Sequence, residues 1–184
     1  MVPTLTTPRL LLRPLTLADA DAVQRLFPQW EIVRYLNAIV PWPFPPDGAL
    51  THIRDSALPA MDHGEAWHWT LRLRSAPEDL IGRIHLSREE GNNRGFWIVP
   101  AHQRQGLITE AVIAVNDYWF DVLGFPVLRA PKAAVNLASR RISEKTGMRL
   151  VALEEKDYVS GRFPTEVWEI TAEEWRAARK RLQP

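Results

Sequence analysis

Three strand-like runs follow one another in this chain: AWHWTLRL (66–73), DLIGRIHLS (79–87) and RGFWIVP (94–100). The turns between them are far shorter than the dozen residues a parallel crossover needs, so neighbouring runs have to pair antiparallel. Trp67, Trp69, Leu71 and Leu73 alternate along the first run and predict one buried face. GNN before the third run is a turn signal. Upstream, RLLLRPL (9–15) reads as a strand and TLADADAVQRLF (16–27) as a helix with Thr16 as its N-cap. DGALTHIRDSALPAM (47–61) reads as a second helix, ended or kinked at Pro59.

After Val99 the pattern changes. Ile108, Val112, Val115, Trp119 and Val122 recur at helical spacing, and Gly124 sits where a C-terminal glycine belongs. FPVLRAPKAAV (125–135) is strand-like, LASRRISEKTG (137–147) a short helix, and RLVALEEK and TEVWEI a closing pair of strands. TAEEWRAARKRL ends the chain as a helix with acids early and bases late, as the macrodipole prefers. The strand–helix–strand portion predicts one parallel crossover. The expectation is therefore a single α+β domain over residues 1–184: a mixed sheet of about seven strands, largely antiparallel, with helices on it.

Composition removes several functions. There is no cysteine, hence no disulfide framework, thiolate nucleophile or cysteine-based zinc site. The five histidines, His52, His63, His68, His85 and His102, form no i, i+3 or i, i+4 pair, so no metal is expected. A net charge of +1 without a clustered basic stripe argues against nucleic acid as a partner. No apolar run reaches membrane-spanning length, and the first residues lack a charged region followed by an apolar one. The expectation is a cytoplasmic protein with no membrane partner. No G-x-S-x-G is present to support a hydrolase triad.

The stretch VPAHQRQGLITEAV (99–112) runs from a strand end through a polar knot into the long helix. Two readings stand. It is either a plain turn using Gly106 for a positive φ, or an anion cradle, because the first N–H groups of a helix lack internal partners and its dipole makes that end positive. Arg104, the side-chain amides of Gln103 and Gln105, and the Thr109 hydroxyl would then add donors to the amides that follow Gly106, from Leu107 onward. Neither the mononucleotide P-loop nor the dinucleotide glycine pattern is present.

The order of elements, with QRQGLITEA, NLASRRISEKTGM, the opening TPRLLLRPLTLADADAV and VPWPFP before the second helix, resembles the GCN5-related N-acetyltransferase superfamily, and within it the Rim-type branch that acetylates ribosomal-protein N-termini. The resemblance spans roughly Thr6 to Ile170 and rests on the combination of motifs. It implies a twisted, largely antiparallel sheet whose fourth and fifth strands splay apart to admit acetyl-coenzyme A. Gln103 and Gly106 match the first two fixed positions of Q/R-x-x-G-x-G/A. Ile108 stands where Gly or Ala is usual, and Arg104 where many Rim-type members have glycine; both bear on the shape of the pyrophosphate loop.

The same resemblance assigns roles. The thioester carbonyl is served by a backbone N–H near the end of the fourth strand, here Ile98 or Val99. Asn136 contacts the pantetheine arm or orders the strand end; as a residue type it is equally a natural N-cap. Ser139 lies near the cofactor sulfur as the acid that protonates the thiolate, or is an ordinary first-turn residue. Arg140 and Arg141 reach the phosphates or belong to a solvated face. Relatives often carry a glutamate on the fourth strand, and the corresponding residue here is Asn93. Glu89 and Glu90 are the nearest replacements, Glu89 as base and Glu90 in attracting a cationic acceptor; Glu154, Glu155, Asp157 and His102 are further candidates. All of these acids are otherwise exposed charges. Trp42 and Phe44 wall the acceptor pocket, or Trp42 plugs the core beneath the second helix.

The expected function is acetyl transfer from acetyl-coenzyme A to a primary amine, a protein N-terminus or a small molecule, by direct attack in a ternary complex. A non-catalytic acyl-coenzyme A binding module on the same fold is the alternative. The resemblance makes a homodimer one possible assembly, since the family often dimerises, and no feature of the sequence demands it.

Overall fold

The short turns do force antiparallel pairing. The structure, a computed structural model, describes residues 1–182. A two-residue strand, Leu5–Thr6, edges a sheet that continues in order through β1 (Leu10–Pro14), β2 (Ala66–Leu73), β3 (Ala76–Ser87) and β4 (Arg94–Ile98), every neighbour antiparallel. A second sheet holds β5 (Val127–Ala133), β6 (Arg149–Tyr158) and β7 (Gly161–Thr171), with β7 in the centre.

The expected crossover exists, but the parallel ladder does not form. β4 and β5 are tied only at their beginnings: Asn93 N–H donates to the Arg129 carbonyl (2.7 Å), and Arg129 N–H to Asn93 Oδ1 (2.8 Å). Beyond that point the two strands belong to separate sheets. The sequence contains one reason. Backbone polar groups alternate sides along a strand. Arg129 points its own toward β4, so Pro131 does too, and proline has no N–H to give. A parallel ladder could not run unbroken past that residue.

Helices cover both faces of the first sheet. On one side lie α1 (Ala20–Leu26), the short α2 (Trp30–Val33), which no sequence pattern announced, and α3 (Gly48–His52). A π turn at Ile53–Ala57 carries α3 into α4 (Leu58–Asp62). Pro59 does not end this helix: the backbone stays helical through it, and the irregularity there is the π turn that immediately precedes it. Thr16 caps a short 3-10 turn into α1, its N–H and hydroxyl both donating to Asp19 (2.8 and 2.9 Å). On the other side lie α5 (Leu107–Asp117), α6 (Leu137–Lys145) and α7 (Ala172–Leu182). No described helix is long and apolar enough to cross a membrane.

The main core fills the α5 side with Trp69, Leu71, Ile84, Leu86, Val112, Trp119, Ile170 and Trp175. Each such side chain contributes about 1.5–3 kcal/mol on burial. A smaller cluster, with Leu15, Val23, Ala49, Ile53 and Leu80, lies under α1 and α3. The alternation in β2 marks the main core correctly. Its opposite face is also covered: His68, Thr70 and Arg72 are buried.

Candidate active site

β4 and β5 end at Ile98 and Ala133, and a helix starts shortly after each, α5 at Leu107 and α6 at Leu137. Both helix N-termini therefore stand at the open end of the splay. Before α5 the chain makes a 3-10 turn (Pro100–His102), then enters left-handed backbone at Arg104 (φ +60°) and Gly106 (φ +78°). The backbone N–H groups from Arg104 to Thr109 have no acceptor among the described residues, and Glu110 N–H is the first to bond back, to the Gly106 carbonyl (3.0 Å). Six consecutive amides at a helix start form a nest for an anion.

The side chains around this nest divide. Gln103 Nε2 donates to the Ile98 carbonyl (3.2 Å) and Gln105 Nε2 to the Ala101 carbonyl (3.0 Å), so both glutamines brace the loop. The Arg104 guanidinium is exposed, with no partner among the described residues. Leu107 and Ile108 are buried in the main core, so the branched Ile108 side chain turns away from the loop. Thr109 is half-buried.

A strap that sequence reading missed holds the loop from the N-terminal strand. Arg9 donates through Nη1 to the Gln105 carbonyl (2.9 Å) and through Nε to Glu110 (2.7 Å), while Thr7 also donates to Glu110. Burial pushes the Glu110 carboxyl up, but the bonds from Thr7 and Arg9 outweigh it and hold it below the usual range. Nothing local in TPRL or ITEA reports a contact a hundred residues apart.

Of the two carbonyl donors expected, Val99 is excluded, because its N–H is bonded to the Ile81 carbonyl (2.9 Å). Ile98 faces the other way. Its carbonyl takes the Gln103 bond on the side away from β3, and the N–H of a strand residue points with its carbonyl. Ile98 N–H is aimed into the splay. Across the gap, Asn136 Oδ1 accepts the Ser139 N–H (3.2 Å), which is N-cap work. Ser139 is half-buried at this helix start. Arg140 is held by Glu144 (2.9 Å) and Glu166 (3.1 Å), whereas Arg141 is exposed and unengaged among the described residues.

Glu89 and Glu90 are in the wrong place. They sit in the β3–β4 turn, at the closed end of the splay, where Glu89 accepts from Asn92 (3.1 Å). The length of β4, about 13 Å at a strand's rise, separates that turn from Ile98. Glu154, Glu155 and Asp157 lie on β6 near Lys156 and Arg162, as exposed ion pairs. Trp42 does not plug the core: it is exposed and leans on Trp30, ring centres 5.7 Å apart. Phe44 meets Phe27 edge-on (5.1 Å), and Phe27 meets Trp97 of β4 (5.4 Å), so Phe44 does join an aromatic wall beside the fourth strand.

Beneath that wall the sheet is polar and buried. Arg72 pairs with Asp19 at 2.6 Å. Arg83 stands directly across from Trp97 on β4 and Thr70 on β2, with its Nη2 3.3 Å from His68 Nδ1. The His85 ring lies over Gly95, in the space a side chain there would fill. The His68 and His85 rings stack at 5.0 Å, and His52 meets His68 edge-on at 6.4 Å. Burial, reinforced by the Arg83 charge, pushes His52 and His85 down to about 4 and His68 below its usual range. Burial lowers Arg83 to about 10. At neutral pH this seam is therefore three neutral imidazoles around a charged guanidinium. The rings stack side by side, and no group of three or more possible ligands among the described residues could hold a metal.

Comparison with known proteins now has a geometry to attach to. Residues 9–149 match the family model described as an acetyltransferase (GNAT) domain. The uncharacterized N-acetyltransferase YoaA of Bacillus subtilis (strain 168) is 30% identical over 158 residues, 81% of this chain and 84% of that protein. Mycobacterium smegmatis RimJ in complex with CoA-disulfide has a similar structure, with TM-score 0.80 and 20% identity over 97% of this chain and 91% of that one. RimL, a ribosomal L7/L12 alpha-N-protein acetyltransferase in complex with coenzyme A, gives TM-score 0.77 and 15% identity over 92% and 97%. At these identities the two solved structures speak for the fold.

Proposed function

This chain belongs to the GNAT acetyltransferase family, and from that membership we propose how its own residues carry out the transfer. It is an acetyl-coenzyme A dependent N-acetyltransferase that moves an acetyl group to an amine. The observation that carries the residue assignment is the run of six unpartnered amides at the open end of the splay. Those amides, from Arg104 to Thr109, take the pyrophosphate, with the Arg104 and Arg141 side chains alongside. The donor set fits a diphosphate because it is N–H groups and cations, while Glu110, the acid of the first turn, is engaged by Thr7 and Arg9.

Bound acetyl-coenzyme A supplies the activated acyl thioester. The chain's own contributions follow from position. Ile98 N–H, fixed by the β3–β4 ladder, is preorganised toward the splay and stabilises charge developing on the thioester oxygen. Ser139, at the start of α6, protonates the departing thiolate. The amine approaches over the opposite face of β4, between Trp97 and the histidine seam, and attacks directly in the ternary complex. With Glu89 and Glu90 at the far end of the strand, no carboxylate serves as base. Burial disfavours the charged ammonium, so the amine gives up its proton to solvent on entering the site and reacts as the neutral form.

Calorimetric titration with coenzyme A tests the reading, with thiol release followed over a panel of amines. Wild type should bind saturably. Gly106→Val should weaken binding at least tenfold, because a β-branched residue at φ +78° is strained and sits over the amides. Absence of heat and of thermal stabilisation would remove the phosphate assignment. Stabilisation without turnover on any amine would leave a binding module.

A further inference from the structure

The sheet face under α1 and α3 holds a positive charge that nothing in the described chain balances. Two buried guanidinium groups, Arg72 and Arg83, lie there against one buried carboxylate, Asp19. Asp19 is fully occupied: Oδ1 takes Arg72 Nη2, and Oδ2 takes the N–H and hydroxyl of Thr16. Arg83 is 9% exposed, keeps only its contact to His68, and joins no ion pair among the described residues. Its neighbours His52, His68 and His85 are bases and offer no negative charge. A buried charge without a partner is expensive, and a well-packed apolar residue of similar volume is often neutral or stabilising in its place. The position is not sealed. Arg83 keeps a small exposed fraction, beside the half-buried His85 and Trp97 and the exposed His52.

We propose that Arg83 is the carboxylate-binding residue of the acceptor site, and that the acceptor is a small amine carrying its own carboxylate, an amino acid or a close homologue. The assignment rests on the acetyl-transfer reading above and names the substrate class of that same site. Position supports it. Arg83 is the cross-strand partner of Trp97, and Trp97 is joined by one peptide bond to Ile98, whose N–H faces the thioester. Cross-strand neighbours lie about 5 Å apart, so a carboxylate on the Arg83 fork and an amine at the end of β4 fit one short molecule. The Trp97–Phe27–Phe44 wall receives its apolar part. A carboxylate there completes the missing ion pair, which a C-terminally extended or amidated acceptor cannot do.

The test uses the full chain with acetyl-coenzyme A and matched acceptors: leucine and phenylalanine, their amides, and an amidated peptide with an acidic second residue. Thiol release should favour each free amino acid over its amide at least tenfold in kcat/KM. Arg83→Gln should lower kcat/KM for the amino acid at least tenfold, mainly through KM, leave the amide nearly unchanged, and keep coenzyme A binding intact as proof of folding. Arg83→Lys, which keeps the charge but loses the fork, should recover part of the preference. Equal or better use of the amides, preference for the acidic peptide, or an unchanged ratio in Arg83→Gln overturns the proposal while acetyl transfer stands. If no amine releases thiol, calorimetry decides: leucine binding that Arg83→Gln abolishes keeps the carboxylate site and removes the transfer reading, and no binding of either ligand removes both.

Discussion

The two faces of the β1–β4 sheet are both buried and are built in opposite ways. The α5 face presents Trp69, Leu71, Ile84 and Leu86, fully packed, with one buried charge among them, Arg94, whose Nη1 donates to Asn116 of α5 (2.7 Å). The α1–α4 face presents His68, Thr70, Arg72 and Arg83, with Asp19 pressed onto them. The same strands supply both, residue by alternate residue. The first face is what the hydrophobic effect selects. The second carries a cost that apolar packing would avoid, and it is the face on which the proposed acceptor site lies. The larger apolar core and the denser group of buried charges lie on opposite sides of one pleated sheet.

The contrast can be broken most forcefully at Trp69. Trp69→Ala should destabilise the protein by about 3–5 kcal/mol, since it empties a fully buried site and strands the Pro3 carbonyl that the indole N–H serves. Denaturant unfolding would measure it, and a loss below 1 kcal/mol would mean that the apolar face does not dominate the fold.

A titration sharpens the other side. His52 and His85 are held near 4 in the folded chain against about 6.5 unfolded. Between those values the unfolded chain binds more protons, so stability is whole above pH 6.5 and falls as pH drops toward 4. A loss on the order of 2 kcal/mol is expected from His85, with less from the surface-exposed His52, where solvent screens the effect. His85→Gln should flatten that part of the slope; an unchanged slope would contradict a neutral seam.

The smallest effect lies at the cofactor loop, away from both faces. Arg104 has φ +60°, the conformation glycine adopts without a Cβ penalty. Arg104→Gly should raise stability by no more than about 1 kcal/mol and weaken coenzyme A binding severalfold at low salt, through loss of the guanidinium. Tighter binding would show the charge to be a bystander.

Much of the fold was legible in the sequence because its signals are local. The alternation in β2, the helical spacing from Ile108 to Trp119 and the glycine at Gly106 each state their structure within a few residues. The polar knot was legible for the same reason. The buried polar face was not. His52, His68 and His85 show no metal-like or catalytic spacing, because they come from one helix and two strands and meet only through the sheet. Glu89 and Glu90 looked close to the fourth strand in sequence, and are close to its wrong end.

By itself, then, the sequence determined antiparallel pairing, the apolar face, the helix that follows β4 and the nest of amides at its start, all of them consequences of side-chain period and backbone geometry over short range. Tertiary structure alone decided that Val99 is bonded and Ile98 free, that Arg9 straps the loop through Glu110, and that Arg83 is left without a counter-charge. These are sums over neighbours distant in the chain, and a hydrogen bond or an unpaired charge exists only once those neighbours are in place.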